Sequence, residues 1–145
     1  MSIAERHAET TWSGTLEGGG GTLKGSSGAL DGLPVTWASR TEQPGGKTSP
    51  EELAAAAHSS CFSMALALTL GQHKLEAKRL TVDATVTLDA VDGVPTIVSS
   101  ALTVHGDVPG TDAATFTSIV DEAAKLCPVS RLFAGAKITV EATLD

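Results

Sequence analysis

The sequence predicts an α+β fold built on antiparallel sheet, and three observations support this class. Short alternating segments come first, a long helical segment follows, and a hairpin then separates it from a second helix and a last strand. The 145 residues suffice for one ordinary domain, which needs neither a disulfide nor a metal to bury its core. With 41% hydrophobic and 19% charged residues, the composition is that of a globular protein. We therefore expect a single domain over residues 1–145.

Three short strands are predicted in the first third of the chain. They are expected at residues 7–14, 15–25 and 33–40. The run Gly18 to Gly21 forms the flexible part of the first turn, and residues 28–34 form the second turn. The third strand ends at Arg40, and a loop rich in glycine and proline follows at residues 41–48.

A strong helix-start signal follows this loop. Ser49 can cap the free backbone N–H groups, Pro50 suits the first helical position, and Glu52 completes a capping box. The helix is predicted to run to Leu70, with Gly71 as its stop. Its alanine, leucine and methionine side chains face nearly all directions, which is typical of a helix that is buried on most sides. Since so small a domain cannot cover such a helix fully, we expect a partner subunit to cover part of it.

A hairpin is predicted after the long helix. Residues 80–88 alternate apolar and polar side chains, as a half-buried strand does. Residues 89–93 make the turn, and residues 96–105 form the antiparallel return strand.

The last part of the chain predicts a second helix and a final strand. The helix covers residues 112–126 and is capped by Thr111 or Asp112. Pro128 either ends this helix or opens a short new turn. Residues 137–144 alternate again and are expected to form the last strand, with Ile138, Val140 and Ala142 on one face.

Charge and composition exclude several classes of function. The chain has 10 Lys and Arg against 17 Asp and Glu, a net charge of −7, and it shows no basic stripe, so we expect no nucleic-acid partner and no binding to anionic membranes. The N-terminus lacks a secretory signal, and no uninterrupted apolar run reaches the length of a bilayer span. A cytoplasmic location with reduced thiols is therefore expected. The four histidines lack the spacing of metal ligands, and no cofactor motif is present, so we expect no cofactor.

Cys61 and Cys127 are the only cysteines, and three interpretations of them stay open on residue type and spacing. A cysteine in an apolar helix is usually a small buried hydrophobe. Cys127, however, precedes Pro128, which pushes it out of helical geometry and could place its thiol at the start of a short turn, where thiolate is favoured. The two thiols would then form a redox pair. His58, three residues before Cys61, could alternatively act as the base of a Cys-His hydrolase, although an ordinary helix contact explains this histidine more simply.

Two spaced motifs carry a family resemblance. The segment SPEELAAAAHSSCFSMAL at residues 49–66 closely resembles the first-cysteine helix of the OsmC/Ohr family, and KLCPVS at residues 125–130 resembles its second-cysteine motif. The PGTD entry to the second helix at residues 109–112 and the Trp12-Ser13-Gly14 strand are similar as well. The resemblance covers essentially the whole chain, and the residues around both cysteines are more similar to the OsmC branch than to the Ohr branch.

This resemblance implies a fold, an activity and four site residues. The fold is the OsmC-like arrangement of antiparallel sheets around two central helices in an intertwined homodimer. The activity is a thiol-dependent peroxidase that reduces organic hydroperoxides, and also hydrogen peroxide, to alcohols or water. Cys61 corresponds to the peroxidatic cysteine and Cys127 to the resolving one, while Arg40 and Glu51 match the family's arginine and glutamate. An external thiol or dithiol, such as a lipoyl protein, then reduces the disulfide.

The expected roles raise a geometric question. We expect Arg40 to stabilise the Cys61 thiolate and Glu51 to hold the guanidinium. On one unbroken helix, however, Glu51 and Cys61 are about 15 Å apart along the axis. Either the helix breaks between them, or a partner chain supplies part of each site. The competing functions are a non-catalytic dimer that binds a small molecule or partner, and a Cys-His hydrolase that needs His58 but not Cys127.

Overall fold

Two three-stranded sheets and four helices make up the computed structural model, which describes residues 1–145. The chain divides into two compact units, Met1–Leu53 and Ala54–Asp145, and each unit contains one of the sheets. The predicted α+β class is confirmed. The assignment of residues 1–145 to a single domain stays a prediction.

The sheet of the first unit has the order β1-β2-β3, and both of its pairings are antiparallel. Its strands are β1 (Ala8–Ser13), β2 (Gly20–Gly25) and β3 (Pro34–Val35). Of the run Gly18 to Gly21, which was expected in the turn, Gly20 and Gly21 lie in β2 instead. At Gly21 a Cβ atom would come within 2.9 Å of Val35 Cγ2 and 3.0 Å of Trp12 Cε3, so this strand position requires glycine.

The predicted third strand is wrong beyond its first residues. β3 has only two residues, and helix α1 (Trp37–Thr41) follows, so Arg40 lies on a helix rather than on a strand. The cause is a reciprocal capping box. The Ser39 N–H donates to Thr36 Oγ1 at 3.0 Å, and the Thr36 N–H donates to Ser39 Oγ at 2.9 Å. This local pair of hydrogen bonds outweighs the weak strand signal of the segment.

Helix α2 (Pro50–Gln72) starts at the predicted position and has no break along its 23 residues. Ser49 Oγ accepts the Glu52 N–H at 3.1 Å, as a capping residue should. The other half of the predicted capping box is absent, because the Glu52 carboxylate accepts the Thr48 hydroxyl at 2.7 Å instead. The box therefore forms only in part, while the helix start is correct.

The end of α2 lies beyond the predicted glycine stop. Gly71 is inside the helix, and Lys74 takes the left-handed conformation, with φ of 58°. The Leu75 N–H donates to the Leu70 carbonyl at 2.9 Å, and the Lys74 N–H donates to the Gly71 carbonyl at 3.0 Å. These two bonds form a Schellman cap. Leu75 packs on the core that contains Leu70, and this contact compensates for the unfavourable backbone of Lys74.

By length and composition alone, α2 is long and apolar enough to cross a membrane, although polar side chains interrupt its apolar run as the sequence indicated. The central helix of a soluble protein meets the same criterion. Two polar side chains of α2, His58 and Thr69, are fully buried and hydrogen-bonded.

The sheet of the second unit has the order β4-β5-β6. Strands β4 (Arg79–Val91) and β5 (Val94–Asp107) form the predicted antiparallel hairpin, extended at both ends, around a turn at Asp92 and Gly93 with φ of 52° and 78°. β6 (Lys137–Leu144) has the predicted bounds, but it pairs with β5 in parallel. The antiparallel prediction is wrong for this pair. Two helices carry the chain back to the end of the sheet where β5 begins, so β6 runs in the same direction as β5.

Two helices lie between β5 and β6. Helix α3 (Ala113–Leu126) is capped by Asp112, whose carboxylate accepts the Thr115 N–H at 2.7 Å. The backbone N–H and the side chain of Thr115 both act on this carboxylate and lower the pKa of Asp112. Helix α4 (Pro128–Leu132) is the short turn that was predicted to open at Pro128.

The core of the second unit joins α2, β5 and α3. Its largest fully buried apolar side chains are Phe62, Leu66, Leu70, Leu102, Val104, Phe116, Ile119 and Val120. Full burial of one such side chain contributes about 1.5–3 kcal/mol, so this cluster fixes α2 and α3 on the sheet. Cys127 belongs to the cluster and Cys61 packs against it.

Candidate active site

The two cysteines lie close together in the second unit. Cys61 is on α2 and Cys127 is the residue between α3 and α4, and both are free thiols. The two thiols are within hydrogen-bonding reach of each other. Cys127 is completely buried, whereas Cys61 is partly exposed. The fold thus brings together two thiols that are 66 positions apart in the sequence and leaves one of them open to a reactant.

The backbone around Cys127 follows from the proline after it. Cys127 has extended geometry, with φ of −65° and ψ of 114°, because a residue before proline is disfavoured in the helical region. Pro128 then occupies the first position of α4, where its missing N–H costs nothing. The backbone N–H of the next residue, Val129, lies near the Cys61 sulfur and acts to lower the pKa of that thiol.

Burial raises the pKa of the Cys61 thiol in this chain. The Val129 N–H acts in the opposite direction, and the neighbouring Cys127 thiol raises the pKa further. The surroundings of Cys61 within its own unit therefore favour the thiol over the reactive thiolate.

Arg40 and Glu51 form the predicted ion pair in the first unit. Arg40 Nη2 and Nε lie 2.7 and 3.0 Å from Glu51 Oε1, and Nε lies 3.1 Å from Oε2. The side chains are 29% and 11% exposed, so the pair is mostly shielded from water. The guanidinium carbon also lies 6.0 Å from the centre of the Trp37 ring. These contacts fix the direction of the guanidinium.

An apolar pocket of about 370 Å³ borders this ion pair. Its wall includes Trp12, Leu23, Trp37 and Leu53, with Arg40 as its only charged residue. Such a pocket suits a ligand with an apolar body and a polar head that the guanidinium can bind.

Two large apolar side chains near Cys61 in the sequence differ in burial. Phe62 is completely buried in the core, and Met64 is 72% exposed on the outer side of α2. Adjacent positions on a helix point in different directions, and only residues three or four apart share a face.

His58 is completely buried and binds two serines that the sequence did not point to. Nδ1 lies 2.6 Å from Ser100 Oγ and Nε2 lies 2.7 Å from Ser130 Oγ, and Phe133 packs edge-on against the ring. Burial lowers the pKa of His58, so its ring is neutral at neutral pH. Because both nitrogens are occupied, neither is free to take a proton from Cys61, and the arrangement argues against a Cys-His hydrolase.

Helix α2 is continuous, which decides between the two predicted ways of bringing Glu51 and Cys61 into one site. The helix runs without a break through Glu51 and Cys61. A break that would bring these residues together is therefore excluded. No group of three or more His, Cys, Asp or Glu side chains is arranged to hold a metal ion.

Comparison with known proteins gives consistent matches. The family described as OsmC-like protein matches residues 43–143. Peroxiredoxin OsmC of Escherichia coli K12 is 40% identical over 145 residues, which cover 100% of this chain and 96% of that protein. The organic hydroperoxide resistance protein of Xanthomonas axonopodis pv. citri is 30% identical, with 99% of both chains covered.

A solved structure shows the same fold. An OsmC-like protein of unknown function from Vibrio cholerae superimposes with a TM-score of 0.77 over 97% of this chain and 100% of its own, at 15% identity. At that identity the likeness concerns the fold alone, and it agrees with the two sheets and two long helices described above. From the family match and the 40% identity over the full length, we conclude that the chain belongs to the OsmC-like family.

Proposed function

We propose that the chain is a cysteine-based peroxidase that reduces organic hydroperoxides, and also hydrogen peroxide, through Cys61 and Cys127. The observation that carries this proposal is the pair of free thiols within hydrogen-bonding reach, one buried and one partly exposed. The names of the relatives, peroxiredoxin and organic hydroperoxide resistance protein, support the same reaction class. Neither a metal nor a cofactor is required.

The reaction has three steps. The Cys61 thiolate attacks one oxygen of the hydroperoxide, so that an S–O bond forms, the O–O bond breaks, and the alkoxide leaves as alcohol after taking up a proton. The Cys127 sulfur then attacks the Cys61 sulfenic acid, and the hydroxyl leaves as water with the proton of the Cys127 thiol. An external thiol or dithiol, such as a lipoyl protein, reduces the resulting disulfide.

The first step needs a source of positive charge near Cys61. Because burial raises the pKa of this thiol, thiolate at neutral pH requires added stabilisation. Lowering a pKa by one to two units takes about 1.4–2.7 kcal/mol. Arg40 can supply this, since it is permanently charged and Glu51 fixes its direction. As α2 is unbroken, we propose that the Arg40–Glu51 pair of one protomer completes the cysteine site of its partner.

The homodimer in this proposal is supported by the outer face of α2. Met64 is 72% exposed and Leu68 is 60% exposed, although both belong to a helix with apolar side chains on nearly every side. Burying the exposed parts of these two side chains against a second copy would contribute about 2–4 kcal/mol. We propose that this face contacts the partner protomer.

The substrate class is supported by the pocket in the first unit. Its apolar lining, with Arg40 as the one charged group, fits the organic part of a hydroperoxide with its peroxide oxygens at the guanidinium. We place the reaction in the cytoplasm, where reduced thiols are available. No membrane or nucleic acid takes part in it.

The proposal is tested by hydroperoxide consumption with a dithiol present. Wild-type protein should consume cumene hydroperoxide catalytically, and Cys61→Ser should not. Ser60→Ala is the matched control, because this exposed hydroxyl bonds only to carbonyls of its own helix. Absence of consumption by the wild type would refute the peroxidase and favour a non-catalytic dimer that binds a small molecule or a partner. Hydrolysis of a nitrophenyl ester that needs Cys61 and His58 but not Cys127 would instead indicate a Cys-His hydrolase.

A further inference from the structure

A buried histidine that the proposed reaction does not use joins three elements of the second unit. His58 on α2 lies between Ser100 on β5 and Ser130 on α4, at 2.6 and 2.7 Å. The histidine and both serines are at most 9% exposed. A neutral imidazole has one N–H donor and one acceptor, so one serine donates to the ring and the other accepts from it. All hydrogen-bonding capacity of the ring is used.

The two hydrogen bonds of His58 differ in what they hold. Ser100 belongs to the central strand of the sheet, which α2 and α3 already fix through the core. Ser130 belongs to α4, which has only five residues and whose Leu132 is 77% exposed. Ser130 follows Val129, whose backbone N–H lies near the Cys61 sulfur, and it is three residues after Cys127. The bond from His58 to Ser130 therefore ties the segment that carries the second thiol to the helix that carries the first.

We propose that His58 is a positioning residue that acts through Ser130 to hold Cys127 for its attack on the Cys61 sulfenic acid. The inference rests on the proposed function. In that step an S–S bond forms, the S–O bond of the sulfenic acid breaks, and water leaves with the Cys127 proton. The attack requires the Cys127 sulfur to approach in line with the breaking S–O bond, so a loosely held α4 slows it.

The alternative fate of the sulfenic acid provides the measurement. A second hydroperoxide oxidises it to sulfinic acid, in competition with disulfide formation. The ratio of sulfinic acid to disulfide at a fixed excess of cumene hydroperoxide, read by intact mass, therefore reports the rate of the Cys127 step. Two variants that lose equal stability can be compared by this ratio, so a difference between them reports the position of Cys127.

Two matched serine variants separate positioning from stability. Ser130→Ala and Ser100→Ala each remove one hydroxyl from His58, and we expect their urea unfolding midpoints to fall by similar amounts. Ser130→Ala should raise the sulfinic-to-disulfide ratio about five- to tenfold, the factor expected when one hydrogen bond is lost from the step. Ser100→Ala should leave the ratio within about twofold of the wild type.

Substitutions of the histidine provide an independent test. The amide of glutamine reaches the place of Nε2, and the amide of asparagine reaches the place of Nδ1. His58→Gln should keep the bond to Ser130 and a ratio near that of the wild type, whereas His58→Asn should match Ser130→Ala. Equal ratios in the two serine variants, or a raised ratio for Ser100→Ala alone, would overturn the inference while the proposed function stands. A wild type that forms neither disulfide nor sulfinic acid would overturn both.

Discussion

Replacement of Glu51 by glutamine should separate the positioning of Arg40 from its charge. The substitution keeps the shape of the side chain and removes the negative charge that holds Arg40 Nε and Nη2 at 2.7–3.1 Å. Breaking a fully buried pair costs about 3–5 kcal/mol, and an exposed pair contributes about 0.2–1 kcal/mol. With exposures of 29% and 11%, this pair lies between those limits, and we expect a loss of about 1–3 kcal/mol.

The expected kinetic effect follows from the same free energy. If about 1.4 kcal/mol of it is used to orient the guanidinium at the reacting sulfur, the rate of sulfenic acid formation falls about tenfold. Stopped-flow mixing with cumene hydroperoxide measures this rate constant, and urea unfolding measures stability. Glu52→Gln is the matched control, since its carboxylate accepts a hydrogen bond from Thr48 and does not contact Arg40.

The pair of measurements has a clear refuting result. If Glu51→Gln lowers the unfolding free energy but reacts with the hydroperoxide as fast as wild type, the ion pair is structural only. The assignment of Arg40 and Glu51 to the reaction would then be wrong, whereas the assignment of the cysteines would be unaffected.

Three further predictions concern pH, assembly and packing. Because burial lowers the pKa of His58, the unfolded chain binds a proton below about pH 6.5 that the folded chain excludes. The unfolding free energy should therefore fall below that pH, and more steeply in wild type than in His58→Gln. Urea titrations at several pH values measure this, and parallel curves for the two proteins would contradict it. Leu68→Glu places a charge on the exposed apolar face of α2 and should convert a dimer to monomers in sedimentation experiments, and an unchanged mass would exclude that face from the interface. Gly21→Ala forces a contact of 2.9 Å with Val35 and should cost about 1–3 kcal/mol in thermal unfolding, whereas wild-type stability would show that the strand adapts freely.

Features with a local cause were predictable from the sequence. The start of α2 follows from Ser49 and Pro50, and the cap of α3 follows from Asp112, because each acts on backbone groups within one helical turn. The alternation in β4 and β6 correctly predicted which of their side chains are more buried, because successive side chains of a strand point to opposite faces of the sheet. The pairing of Arg40 with Glu51 was expected from the family resemblance, and the structure shows it.

Features that depend on long-range packing were not predictable. The serines that bind His58 lie 42 and 72 residues away, and a single sequence gives no sign of such partners. The parallel pairing of β6 depends on the path of two helices rather than on the strand itself. The helix around Arg40 is different, because the Thr36 and Ser39 spacing is a local signal that a search for capping boxes would have found.

The central claim is that Cys61 and Cys127 carry one peroxidase cycle, and intact mass with a free-thiol count tests it most directly. After one equivalent of cumene hydroperoxide, the wild type should lose both thiols and about 2 Da, as disulfide formation requires. The Cys127→Ser variant should instead gain about 16 Da at Cys61, the mass of the trapped sulfenic oxygen. An unchanged thiol count in the wild type would contradict the account and make Cys61 an unreactive packing residue of the helix.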